Sequence, residues 1–132
     1  SGDVMRELTP ETGYPIMSPE TAAFIRNAMT ECAAYGTGNK AHLRDYRVAV
    51  AGKTATAKLL TNGSYASGKY RASFCGFFPA ENPMYVIVIS IENPSAGAYY
   101  GGQVAAPIFQ RIAGRICSDI HGILPFPFPK EI

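Results

Sequence analysis

The chain has 132 residues, of which 47% are apolar and 17% are charged, and its formal net charge is +2. This length fits one domain or part of one, and the charged fraction lies below the roughly 25% of typical soluble domains, which predicts faces that other elements cover. The small, dispersed charge argues against binding to nucleic acid or to an anionic membrane, and no apolar run reaches the ~18 residues of a membrane span.

The first predicted elements are a short strand from Asp3 to Leu8 and a turn-rich connector from Thr9 to Met17. A helix follows, because Ser18 is a good N-cap and Pro19 suits the first helical position. We expect this helix to end near Gly36, since glycine favours a helix C-terminus. Its apolar face is predicted to consist of Phe24, Ile25, Ala28, Met29 and Cys32.

Three strands are predicted next, within Arg47–Leu60, Tyr70–Phe78 and Met84–Glu92. The connector 79–83 is too short for a crossover, so the last two strands should form an antiparallel hairpin. The Gly- and Ser-rich loop from Thr61 to Lys69 predicts the same arrangement for the first pair. Both alternating faces of the third strand are apolar, which predicts a strand covered on both sides and helices on both faces of the sheet.

The last predicted helix carries an apolar stripe that we expect to face the core, made of Val104, Ile108, Ile112 and Ile116. Pro107 is compatible with this helix only within its first turn. Arg111 and Arg115 should face outward. The proline-rich tail 125–129 cannot be helical and is expected to be extended.

The stretch Val50–Lys58 carries the chemistry that the sequence suggests. Its small and β-branched residues favour an extended backbone, in which Lys53 and Thr54 project from opposite faces unless a twist or a sheet edge lets both line one cleft. A cation and a hydroxyl beside accessible backbone N–H groups can hold a carboxylate and stabilise a developing oxyanion. This pattern suggests acyl transfer.

The same stretch allows two other interpretations. Gly52-Lys53-Thr54 is also the end of a phosphate-binding loop, but Arg47 stands where the opening glycine belongs and a strand-like run replaces the glycine-rich loop. An ordinary strand with a solvated lysine is the plain alternative, and these residues alone leave it open.

Further blocks of sequence stand before and after this stretch, namely Tyr35–Ala41, Ala72–Ala80, Met84–Ile89 and Tyr99–Phe109. In that order and at those spacings, the set strongly resembles the C-terminal part of the transpeptidase domain of monofunctional (class B) penicillin-binding proteins. The resemblance runs from about Val4 to Ile116, and Lys53-Thr54-Ala55 matches the K-T-G motif of the family. Tyr99-Tyr100-Gly101-Gly102 looks more like the division-type enzymes than the elongation-type.

The resemblance implies an α+β fold in which an antiparallel sheet packs between helices, the C-terminal portion of the serine penicillin-recognising fold. It implies catalytic roles for Lys53, in electrostatics and proton transfer, and for Thr56, whose backbone N–H contributes to the oxyanion hole. Thr54 is expected to bind the substrate carboxylate, and Ala55 lies beside it where the family usually has glycine. The added methyl at Ala55 matters only if a backbone or ligand packs against that face.

The nucleophile of such an enzyme is missing from the chain. None of its serines is followed three residues later by lysine or two residues later by asparagine, so both S-x-x-K and S-x-N are absent. We therefore expect residues 1–132 to be a partial transpeptidase domain that lacks the part carrying these motifs, and to be inactive alone.

The implied parent is a D,D-transpeptidase that cross-links peptidoglycan, with D-Ala-D-Ala stem peptides and β-lactams as ligands and cell-division or elongation proteins as possible partners. It would act on the periplasmic side of the cytoplasmic membrane, held by an anchor outside this chain. A β-lactamase or β-lactam-sensor domain and a non-catalytic interaction module remain as alternatives.

No metal or organic cofactor is expected. His42 and His121 are the only histidines and lie far apart in the sequence, which argues against a zinc site, and His42 is interpreted as a polar loop residue rather than a base. Cys32, Cys75 and Cys117 show no C-x-x-C spacing and are predicted to be small buried hydrophobic residues.

Overall fold

A computed structural model describes residues 13–61, 64–95 and 97–121 of the chain. Helix α1 spans Pro19–Ala34, strands β1, β2 and β3 span Ala51–Thr61, Ser64–Phe78 and Tyr85–Glu92, and helix α2 spans Gly101–His121. Two short 3-10 turns, Asn39–Ala41 and Arg44–Tyr46, lead from α1 to β1. The predicted strand Asp3–Leu8 and the predicted extended tail lie outside the described residues.

The three strands form one antiparallel sheet in the order β1-β2-β3, which confirms the predicted α+β class and both hairpins. Strands β1 and β2 extend into the segment predicted to be a Gly- and Ser-rich loop, and their register shifts between Lys58 and Leu60. The Gly- and Ser-rich composition therefore predicted a longer loop than the structure has. Within the described sheet β1 is an edge strand, which determines the geometry of the site.

Helix α2 covers the face of the sheet that carries Phe74. The Phe74 ring is fully buried and meets Phe109 edge to face, with ring centroids 4.9 Å apart. Phe78 contacts Phe109 in the same manner at 6.0 Å. Edge-to-face contacts of this kind add about 0.5–1.5 kcal/mol to the gain from burying the rings.

The buried stripe of α2 differs from the predicted one. It consists of Ala105, Ala106, Phe109, Ala113 and Cys117, whereas Ile112 is 41% exposed and Ile116 is only partly buried. The prediction followed the β-branched residues that recur every four positions, but the row one residue further along, Ala105, Phe109, Ala113 and Cys117, has the same spacing and is the one that is buried. Pro107 lies inside the helix instead of in its first turn, since α2 already begins at Gly101.

The opposite face of the sheet is open in the part of the chain that the structure describes. Val86 and Val88 of β3 are 69% and 64% exposed, and Cys75 of β2 is exposed beside them. The prediction of a β3 covered on both sides, with helices on both faces of the sheet, is therefore met on only one face by the described elements.

Helix α1 begins as predicted, with the Ser18 hydroxyl accepting a hydrogen bond from the Thr21 N–H at 3.2 Å. Its predicted apolar face is not buried by the described residues, since Phe24 is 75% and Ile25 40% exposed. The helix instead joins the core through the small side chain of Ala33. No helix in the described ranges is long and apolar enough to cross a membrane.

The three cysteines occupy three different environments, and none is in a disulfide. Cys117 is buried, and burial raises the pKa of its thiol. Cys32 is half-buried, whereas Cys75 is exposed. The prediction of a buried cysteine is therefore wrong for Cys75, which lies on the open face of the sheet.

Candidate active site

Lys53 and Thr54 meet at the free edge of β1. The Lys53 ammonium donates to the carbonyl oxygen of Thr54 at 3.1 Å and to its Oγ1 at 3.3 Å. Strand alternation sends the two side chains to opposite faces, but β1 is an edge strand in the described sheet, so the long lysine side chain folds back around it. The edge places cation and hydroxyl together, one of the two possibilities that the sequence left open.

A loop from the end of α1 brings a second hydroxyl to this point. Oγ1 of Thr37 lies 2.9 Å from Oγ1 of Thr54. The loop is fixed by the N–H groups of Gly36 and Gly38, which both donate to the Cys32 carbonyl at 3.1 Å. Gly38 is buried, and a Cβ there would lie 3.0 Å from the Phe74 ring. Glycine therefore allows the loop to approach the core.

Thr56 connects β1 to the start of α2. Its hydroxyl accepts a hydrogen bond from the backbone N–H of Gly101 at 3.1 Å. Gly101 lies so close to the strands that a Cβ there would be 2.2 Å from the Ser73 carbonyl oxygen and 2.6 Å from that of Ala55. The Thr56 side chain thus holds the positive N-terminal end of α2 against β1.

These groups surround a cavity of about 260 Å³ between the Thr37 loop, β1 and the start of α2. Its lining residues are Thr37, Asn39, Lys40, Thr54, Thr56, Tyr100, Gly101, Gly102 and Gln103. None of them is acidic, and the Lys40 ammonium and the end of α2 both favour negative charge. The arrangement suits a ligand that carries a carboxylate.

Similarity to known proteins agrees with this geometry. Residues 5–114 match the model of the penicillin-binding protein transpeptidase domain. The chain belongs to this transpeptidase family. The resemblance inferred from the sequence motifs is thereby confirmed.

Two curated relatives illustrate the match. The chain is 41% identical over 114 residues to the probable peptidoglycan D,D-transpeptidase PenA of Neisseria gonorrhoeae, covering 86% of the chain and 19% of that protein. It is 42% identical over 86 residues to the peptidoglycan D,D-transpeptidase FtsI of Escherichia coli, covering 65% of the chain and 14% of that protein. The chain thus spans less than a fifth of the length of either relative.

Among solved structures, the apo TP domain of penicillin-binding protein 3 from Burkholderia pseudomallei is similar, with a TM-score of 0.71 and 34% identity. The match covers 96% of this chain and 37% of that one. At this identity the likeness supports family membership as well as the fold.

The structure brings three of the four predicted transpeptidase site residues together. Thr54 and Thr56 line the cavity, and Lys53 reaches it through the Thr54 hydroxyl. The Ala55 side chain is exposed, and strand alternation places its methyl on the opposite face. The methyl that departs from K-T-G therefore does not enter the cavity.

Sequence reasoning missed several lining residues. In the sequence, Thr37 and Tyr100 stand out only as members of the blocks Tyr35–Ala41 and Tyr99–Phe109. Tyr100 ends a ladder of aromatic rings in which Tyr99 lies 4.4 Å from Tyr100 and 4.3 Å from Tyr70, centroid to centroid. The glycine pairs Gly36/Gly38 and Gly101/Gly102 were the available signal, because glycine marks close approach of backbone to another group.

His42 lies apart from this cavity. Burial of its ring, together with the nearby positive charge of Arg44, lowers the pKa of His42. Its buried Nδ1 has no hydrogen-bond partner among the described residues. A second cavity, of about 270 Å³ and lined by Arg26, Asn27, Thr30, Ala80 and Glu81, contains none of the predicted site residues.

Replacing Gly102 by alanine is expected to destabilise the domain by about 1–3 kcal/mol, the usual range for overpacking. A Cβ at Gly102 would lie 2.1 Å from the carbonyl oxygen of Thr37, so the helix or the loop must move. Urea denaturation measures the change in free energy of unfolding. Gly13→Ala is the control, because nothing lies within 4 Å of its added Cβ. Equal stability of the two variants would show that the contact between α2 and the Thr37 loop is easily displaced.

Proposed function

We propose that this chain forms the Lys-Thr strand and the oxyanion side of the active site of a peptidoglycan D,D-transpeptidase, which β-lactams acylate. The observation that carries the proposal is that the Thr54 hydroxyl, which the Lys53 ammonium contacts, and the N-terminal end of α2 line one cavity. Membership of the transpeptidase family, in which relatives carry the name peptidoglycan D,D-transpeptidase, supports the reaction class.

Each residue has a distinct part in this proposal. A serine hydroxyl attacks the carbonyl carbon of a D-Ala-D-Ala stem peptide, and the carbonyl oxygen becomes an oxyanion. The backbone N–H of Thr56 donates to that oxyanion, an interaction typically worth about 3–4 kcal/mol of transition-state stabilisation. The Thr54 hydroxyl holds the terminal carboxylate, while the Lys53 ammonium supplies positive charge and takes part in proton transfer.

The serine and its activating lysine come from outside these 132 residues in this proposal. The chain contains neither S-x-x-K nor S-x-N, so it supplies binding and electrostatic groups but no nucleophile. Half of an active site also positions a ligand poorly, because the gain in effective concentration requires both reacting groups to be fixed. We therefore propose that the chain is part of a longer domain and is inactive alone.

The proposed site of action is the outer face of the cytoplasmic membrane, where the peptidoglycan substrate is located, with an anchor elsewhere in the protein. A role in cell division is proposed from the similarity to FtsI and from the Tyr99-Tyr100-Gly101-Gly102 motif. When the oxyanion collapses, the amide bond to the terminal D-Ala breaks, this D-Ala leaves with a proton on its amine, and the serine holds the rest of the peptide as an ester. A neighbouring stem-peptide amine then attacks the ester, so that the cross-linking amide forms and the serine leaves with its proton restored.

The test is intact-mass spectrometry after incubation with benzylpenicillin. The isolated chain is expected to gain no covalent mass, whereas the complete domain gains the mass of one penicillin and keeps it. Rapid loss of the adduct by hydrolysis would favour the β-lactamase alternative. An adduct on one serine of the isolated chain would contradict the missing nucleophile, and a complete domain that never reacts would favour a non-catalytic interaction module.

A further inference from the structure

We propose that Thr37 is a positioning residue that orients the Thr54 hydroxyl, so that its proton points at the ligand carboxylate. This inference rests on the proposed function, because it assigns Thr54 to carboxylate binding. The main observation is that the two hydroxyl oxygens lie 2.9 Å apart. This contact connects the Thr37 loop to strand β1, although the two residues are 17 positions apart in the sequence.

The direction of this hydrogen bond decides what Thr54 can do. A threonine hydroxyl has one proton and two lone pairs, whereas an ammonium group only donates. The Lys53 ammonium, 3.3 Å from Thr54 Oγ1, therefore occupies one lone pair. If Thr37 donates to the other, both lone pairs are filled and the proton of Thr54 is directed into the cavity.

The opposite direction would leave the ligand without a donor at this point. If Thr54 donated to Thr37, its single proton would be used within the protein, and a carboxylate, which only accepts, would meet an oxygen. The half-buried Cys32 favours the productive direction. Its Sγ lies 3.6 Å from Thr37 Oγ1, and because sulfur is a weaker acceptor than a hydroxyl oxygen, the Thr37 proton is better placed on Thr54 while the thiol donates weakly to Thr37. Such chains of donors strengthen one another.

The position of Thr37 is fixed independently of its side chain. Its carbonyl oxygen lies against Gly102, where no Cβ would fit, and the Cys32 carbonyl accepts from the glycines on either side of Thr37. The backbone that carries the Thr37 hydroxyl is thus in place before any ligand arrives. A group that is already in place needs little reorganisation when a ligand binds.

The test compares acylation rates of the complete domain with a penicillin that has its free carboxylate and with its methyl ester. Thr37→Val, which keeps the shape but removes the hydroxyl, is expected to slow acylation by the free acid about tenfold, equivalent to one hydrogen bond to a charged group. Thr37→Ser restores the rate to within about twofold because it retains the hydroxyl. The methyl ester, which carries no negative charge, loses far less.

Two further variants distinguish a positioning role of Thr37 from a purely structural role. Thr37→Val should add nothing in a Thr54→Val background, since interacting groups are not additive. Thr30→Val is the matched control, because the Thr30 hydroxyl donates to the Arg26 carbonyl within α1, away from this cavity. Thermal midpoints are measured for every variant, and Thr37→Ala repeats the hydroxyl deletion should the valine variant fail to fold.

The outcomes distinguish the inference from the proposed function. A normal rate for Thr37→Val together with a slow Thr54→Val overturns the role of Thr37 and leaves the proposed function intact. Equal slowing with acid and ester, or slowing that persists in the Thr54→Val background, also overturns it. A normal rate for Thr54→Val contradicts the carboxylate assignment in the proposed function itself.

Discussion

Replacing Lys53 by alanine in the complete domain is expected to slow acylation by benzylpenicillin by roughly 10²- to 10⁴-fold, the range of positioned proton-transfer groups. The ammonium contacts the Thr54 hydroxyl and carbonyl at the edge of β1, where negative charge would develop. Because the Lys53 side chain is exposed, its loss should change the thermal midpoint little. Stopped-flow acylation rates and thermal denaturation measure the two effects.

Lys58→Ala is the matched control for this prediction. Lys58 is an exposed lysine on the same strand, and it lies outside the cavity lining. Its substitution removes the same charge and should leave the acylation rate within about twofold. If Lys53→Ala were equally harmless, Lys53 would be the solvated strand residue that the sequence also allowed.

Replacing Phe74 by alanine is expected to lower the free energy of unfolding by about 3–5 kcal/mol, the usual cost of deleting a buried phenylalanine. The ring is fully buried against Phe109 and lies over Gly52 and Gly76, at each of which an added Cβ would be less than 3 Å from it. These glycines leave a recess that only a large flat side chain fills. Chemical denaturation of the complete domain measures the loss.

The same substitution should also weaken the site, because Gly38 of the Thr37 loop packs on the Phe74 ring. Phe24→Ala serves as the control, since that ring is 75% exposed on α1 in the described structure. A loss below about 1 kcal/mol for Phe74→Ala would mean that the core collapses around the vacancy, and the structural role given to Phe74 would be wrong.

The sequence correctly predicted those features of the fold that depend only on residues a few positions apart. Ser18 and Pro19 predicted the start of α1 because capping depends on neighbouring atoms only. The short connector 79–83 likewise required an antiparallel hairpin. In α2, by contrast, two neighbouring rows of apolar residues share the same spacing, and the sequence does not say which row the sheet covers. The prediction selected the row with Val104 and three isoleucines, whereas the buried row contains Phe109, Cys117 and alanines.

The sequence by itself determined the α+β class, the antiparallel order, the transpeptidase family and the Lys53-Thr54 strand. Only the tertiary structure decided that Lys53 bends round an edge strand to Thr54 and that Thr37 meets the same hydroxyl. It also decided that Thr56 uses its side chain to hold α2. These contacts join segments far apart in the chain, and their hydrogen bonds depend on separations of about 3 Å that no local periodicity specifies.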